Sequence, residues 1–175
     1  MPNAERAMNA SATENNRMKL CDIVSRDAIV AGLQSSTRDE VVAELVDALV
    51  RAGKVASNIR EEIIASVLER ERKGSTGFGK GVAIPHVKQK GVKGMVAAVG
   101  VSESGIDFNA LDKQPVYSVF LLISPAEDPE QHLRAMEVIF KNLSQDNFRR
   151  FLRQATQVDD VWTLLTDADD QQLPA

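Results

Sequence analysis

The chain has 175 residues, 43% of them hydrophobic and 26% charged, and its 21 basic and 25 acidic side chains give a formal net charge of −4. That balance describes an ordinary globular domain with enough Val, Ile and Leu for a core, and it excludes collagenous and low-complexity chains. It also argues against non-specific nucleic-acid binding, although the charge is unevenly spread. Residues 70–93 carry +6 (Arg70, Arg72, Lys73, Lys80, Lys88, Lys90 and Lys93 against Glu71), which leaves −10 for the rest.

Residues 1–17 are rich in Asn, Ala, Ser and Thr and lack the apolar stretch of a secretory signal. They read as a disordered leader before a domain over 18–170, with a short tail at 171–175. No apolar run approaches the roughly 20 residues of a membrane-spanning helix, and the single Cys21 can close no internal disulfide. A cytoplasmic protein without membrane insertion is the expectation.

A short β-branched segment over 28–33 predicts the first strand. Thr37 and Glu40 form a capping box ahead of Val41, Val42, Leu45, Val46, Leu49 and Val50, a helical stripe that ends at Gly53. Asn58 is expected to cap a second helix, with Ile59, Ile63, Ile64, Val67 and Leu68 as its apolar face, running into Gly74. A glycine-rich loop over 74–81 precedes a strand over 82–84 that ends at Pro85-His86, and further strands are predicted over 95–101 and 116–124. Helices over 130–143, 146–154 and 158–165 close the domain. Strands interleaved with helices on short connections predict an α/β fold, a mixed sheet flanked by helices on both faces in a single compact domain.

Three features bear on chemistry. Gly74 to Gly81 fits G-x-x-x-x-G-K but ends in glycine where a P-loop needs a hydroxyl for magnesium, and it follows a helix and opens a strand, the reverse of a P-loop's order. The only histidines are His86, placed after a proline at a strand end within the basic segment, and His132, at the start of a helix after Asp128-Pro129. With one cysteine they make no metal site at any familiar spacing. A neutral imidazole is a good nucleophile near pH 7 and can accept a phosphoryl group, which needs positioning and positive charge around its oxygens. Arg70 suits that clamp through its planar fork, and loop N–H groups over 75–81 are expected to add to it, whereas Arg72 and Lys73 read as solvated cations at a helix end.

Arg70-Glu71, Gly74-Ser75-Thr76-Gly77-Phe78-Gly79 and Val82-Ala83-Ile84-Pro85-His86 together resemble the active-site signature of the type-2 IIA domains of the phosphoenolpyruvate:sugar phosphotransferase system, the fructose/mannitol family, with the nitrogen-regulatory branch nearest. Phe108 to Val116 and Pro125 to Leu133 match in order and spacing, so the resemblance covers roughly residues 20–166. It implies a phosphotransferase that takes a phosphoryl group onto His86, with His132 beside it, Arg70 as the arginine of the site, and Ser75, Thr76, Gly77 and Gly79 supporting the phosphate loop. The implied donor is the histidine phosphocarrier HPr or its nitrogen-branch homologue, and the implied acceptor a IIB protein or a regulated target. No metal or organic cofactor is implied. The family usually has a small residue, mostly glycine, directly after the active-site histidine; here it is Val87. A β-branched side chain there excludes positive φ and narrows approach to the imidazole. Three readings follow: a regulatory phosphocarrier, a transport IIA serving a separate permease, and a binding module that has lost phosphotransfer.

Overall fold

The computed structural model of the protein describes residues 17–173; apart from Arg17, the expected leader lies outside the described residues. In chain order the elements are α1 (Leu20–Ile23), β1 (Val24–Val30), α2 (Arg38–Arg51), α3 (Arg60–Lys73), β2 (Gly77–Gly79), β3 (Val82–Ala83), β4 (His86–Gln89), β5 (Val96–Ile106), β6 (Val116–Pro125), α4 (Pro129–Leu143), α5 (Asp146–Gln154) and α6 (Val158–Asp169). The strands form one mixed sheet in the order β1-β5-β6-β3-β2, with β4 also paired to β6. β1 on β5, and β3 and β4 on β6, run parallel, whereas β5 on β6 and β2 on β3 run antiparallel.

β6 is apolar almost throughout because both of its faces are covered. Val119, Leu121 and Ile123 pack with α2 and α3 through residues such as Leu45, Leu49 and Ile63. Phe120 and Leu122 point the other way, into a second core with Leu20, Ala135, Ile139, Phe148 and Val161 from α1, α4, α5 and α6. The predicted mixed sheet with helices on both faces is the fold observed.

Several boundaries differ from expectation. The first strand spans Val24–Val30, because Ser25, Arg26 and Asp27 lie on the outer edge of the sheet, where only β5 is a partner and polar side chains are tolerated. Asn58 lies in a 3-10 turn, Ser57–Ile59, and the helix begins after it at Arg60 with no side-chain cap. The last helix continues to Asp169, whose carboxylate accepts hydrogen bonds from the backbone N–H groups of Leu20 (2.7 Å) and Cys21 (2.9 Å). Asp169 thereby satisfies donors at the start of α1 that would otherwise lack partners, a contact between ends of the chain that local pattern cannot reveal.

Candidate active site on strand β4 and helix α4

His86 opens a strand; it does not end one. Pro85 has no N–H to give and interrupts the chain between β3 and β4, and its carbonyl accepts from Leu122 N–H at 3.0 Å. β4 then runs along β6 with His86 opposite Leu122 and Lys88 opposite Ser124. Aligned residues of a parallel pair share a sheet face, as do residues two apart on one strand, so His86, Lys88, Leu122 and Ser124 face the α4 layer. Val87 points the opposite way and packs against the α2–α3 core. It sits in ordinary extended backbone, so its branched side chain does not crowd the imidazole as its place in the sequence suggested.

α4 supplies the second imidazole. Asp128 caps the helix through its carboxylate, which accepts from Gln131 N–H at 3.2 Å, and Pro129 occupies the first turn. His132 follows in that turn, 7% exposed, with Nδ1 hydrogen-bonded at 2.7 Å to the hydroxyl of the fully buried Ser124. The centroids of the His86 and His132 rings are 5.4 Å apart, with the planes inclined at 49°.

The tautomer of His86 follows from its partner. Nδ1 lies 2.8 Å from the Ile84 carbonyl oxygen, which can only accept, so Nδ1 carries the hydrogen and Nε2 the free lone pair. Burial holds the His86 pKa below its ordinary 6.5; the Ile84 hydrogen bond opposes this, the charges of Arg70 and Lys88 add to it, and Glu71 works against it. His132 is pushed down to about 4, mainly by burial and further by His86 and Lys88. Both rings are therefore neutral near pH 7, and His86 Nε2 is a competent nucleophile.

That neutrality has a measurable cost in acid. The unfolded chain protonates His132 near its ordinary 6.5 and the folded chain only near 4, so the unfolded state binds more protons between those values and stability falls as the pH drops from 6.5 to 4. Denaturant titrations across this window should show His132→Gln losing less stability than wild type, by on the order of 2 kcal/mol. Identical slopes would mean that His132 titrates normally in the folded protein.

Arg70 sits in the last turn of α3, where its guanidinium donates to the Gly74 carbonyl at 2.9 Å. Glu71, only 2% exposed, turns inward, and its carboxylate accepts from both the N–H (3.1 Å) and the hydroxyl of Thr76. Ser75 donates its hydroxyl to the Phe108 carbonyl at 3.0 Å and accepts from Gly77 N–H at 3.1 Å. A Cβ on Gly77 would lie 2.9 Å from that of Ala110, so only glycine fits there. Lys80 and Gly81 both have positive φ (61° and 77°), the conformation of a two-residue hairpin turn joining β2 to β3. Lys80 N–H donates to the Asp112 carboxylate at 3.2 Å. The expected phosphate cradle is thus a hairpin whose N–H groups at Thr76, Gly77 and Lys80 bond within the protein.

Other features near the pair were not read from the sequence. In the sequence Ser124 is only the end of a predicted strand, and Glu71 a charge beside Arg70. Leu133 of α4 is 60% exposed, and Phe140 on the same helix is 51% exposed. The buried face of α4 is formed instead by His132, Ala135, Ile139 and Leu143. Phe78 of β2 meets Phe140 with 4.9 Å between ring centroids, so the outer side of α4 also carries apolar side chains. A helix with apolar residues on both sides gives no sequence signal for which side is exposed.

Residues 22–168 match the family described as phosphoenolpyruvate-dependent sugar phosphotransferase system, EIIA 2, and the chain belongs to that family. It is 30% identical over 158 residues to the nitrogen regulatory protein of Escherichia coli, covering 87% of this chain and 92% of that one. It is 31% identical over 152 residues to the fructose-specific EIIABC component of Bacillus subtilis, covering 87% of this chain and only 24% of that longer protein. The crystal structure of nitrogen regulatory protein IIA-Ntr from Neisseria meningitidis superposes with a TM-score of 0.74 at 27% identity, over 82% of this chain and 97% of that one. The protein is a IIA domain of the phosphotransferase system, similar to both regulatory and fructose-specific members. Among the described residues, no helix is long and apolar enough to cross a membrane.

Proposed function

We propose that the protein is a phosphohistidine carrier in which His86 Nε2 accepts a phosphoryl group from a phosphorylated HPr or its nitrogen-branch homologue. The lone pair of Nε2 attacks phosphorus as the donor's own N–P bond breaks, so one N–P bond replaces another. The observation that carries this reading is the hydrogen bond from His86 Nδ1 to the Ile84 carbonyl, which leaves Nε2 unprotonated. His132 lies beside the incoming group, Arg70 clamps its oxygens, and Ser75, Thr76, Gly77 and Gly79 hold the hairpin that keeps Arg70 near His86. The exposed Leu133 and Phe140 suit docking of a protein donor, since apolar patches of this kind mark interaction surfaces.

The test is incubation of the full chain with phosphoenolpyruvate, enzyme I and HPr or its homologue, followed by mapping of the phosphorylated residue by mass spectrometry. Label on His86 is expected; label elsewhere, or none, would refute the assignment. Arg70→Lys keeps the charge but loses the planar fork, and should slow transfer about tenfold in rapid-mixing experiments. An unchanged rate would return Arg70 to the role of a solvated helix-end cation.

A regulatory, nitrogen-related and cytoplasmic role is the favoured setting, supported by the likeness to nitrogen regulatory proteins at both the sequence and the structural level. The likeness to a fructose-specific component supports the second reading, transfer onward to a separate IIB/IIC permease. Neighbouring genes distinguish them: a permease favours transport, and a nitrogen sigma factor favours regulation. The transfer-deficient module rested on Val87, and its packing on the opposite sheet face removes that support.

A further inference from the structure

We propose that the basic hollow between α5 and the start of β6 is a binding site for a small polyphosphorylated ligand, separate from the histidine pair. A cavity of 520 Å³ there is lined by Lys80, Tyr117, Arg149, Arg150 and Arg153, and its single acidic residue is Asp146. Asp146 is engaged by Arg149, which also donates to the Leu143 carbonyl at 2.8 Å and has a side chain only 12% exposed. Among the described residues, the side chains of Lys80, Arg150 and Arg153 have no carboxylate within ion-pair distance. Three cations without a carboxylate partner therefore line one hollow in a chain whose net charge is −4, Arg150 with its guanidinium 5.3 Å from the Phe151 ring centroid.

An ordinary solvated helix face accounts for part of this, since cations are favoured in the last turn of a helix and Arg153 lies in the last turn of α5. It does not account for Lys80, which comes from the β2–β3 turn and is held in left-handed backbone with its N–H on Asp112. Nor does it account for where the Arg153 guanidinium lies, 3.6 Å from the centroid of the Tyr117 ring. Stacking on the ring fixes the plane of a five-donor fork at the wall of the hollow, the arrangement that suits paired phosphate oxygens. The volume falls within the range of about 300–1,000 Å³ typical of small-molecule sites. One carboxylate or one phosphate would leave two of the three cations unmatched, whereas a diphosphate or triphosphate group matches them.

The hollow is remote from His86. Ser118, which lines it, pairs with Val82, whereas His86 pairs with Leu122 four residues further along β6, or about 13 Å at the rise of a strand. The proposal thus stands apart from the phosphocarrier reading. Calorimetric titration of the full chain with inorganic tripolyphosphate tests it. One-to-one saturable binding is expected, at least tenfold weaker in Arg150→Gln/Arg153→Gln and in Lys80→Gln, unchanged in His86→Ala, with both basic-site variants still folded by circular dichroism and the double variant still accepting phosphoryl label. Absence of saturable binding, binding by the double variant at wild-type strength, or loss of binding in His86→Ala would overturn it. So would binding of polyglutamate but not of tripolyphosphate, which would make the hollow a docking face for an acidic protein segment.

Discussion

A chain carrying His86→Ala is expected to take up no phosphoryl label under conditions in which wild type is labelled to completion, a loss of more than about a thousandfold. No other side chain can substitute. His132 is the only other histidine, and it is only 7% exposed on the buried face of α4, held to the buried Ser124 hydroxyl. His86 sits in the ladder through its backbone, and its ring is half-buried, so the substitution should leave the fold intact. Unchanged far-ultraviolet circular dichroism beside absent label would place the defect in chemistry. Substantial label on His86→Ala would mean that the acceptor lies elsewhere in the chain.

His132→Ala should act on both rate and stability. It leaves the fully buried Ser124 hydroxyl without a partner and opens space between β6 and α4, together costing about 2–3 kcal/mol. It also removes a neutral imidazole 5.4 Å from the proposed acceptor ring, and transfer should slow about a hundredfold. His132→Gln keeps an amide that can reach Ser124 and separates the two effects: stability should largely return while the rate stays low. Recovery of rate and stability together would reduce His132 to a packing residue.

The helical stripes, the long apolar strand β6 and the two histidines were legible because each rests on local pattern: periodicity, caps and turn residues. β4 was not, since His86, Val87, Lys88 and Gln89 show no alternation of apolar and polar residues; the strand exists because β6 offers it a partner. The partners of the two imidazoles were hidden for related reasons. Ile84 contributes a backbone carbonyl, which every residue has, and Ser124 becomes informative only once β6 is placed under α4. Glu71 stood beside a recognised arginine, yet the buried bonds that give it a role come from the far side of a turn. The glycine loop is legible as a loop between a helix and a strand, but its amide groups at Thr76, Gly77 and Lys80 are occupied by Glu71, Ser75 and Asp112.

The pairing of β4 and the anchoring of His132 share one support. His86 is registered on β6 at Leu122, and His132 is bonded to β6 at Ser124, two residues further on. Both rings are thus referenced to the same short piece of central strand, buried on both faces. In the proposed carrier role, little reorganisation separates the resting pair from the arrangement that would receive a phosphoryl group, so the ordering entropy of that transfer is met when the chain folds and not at each turnover.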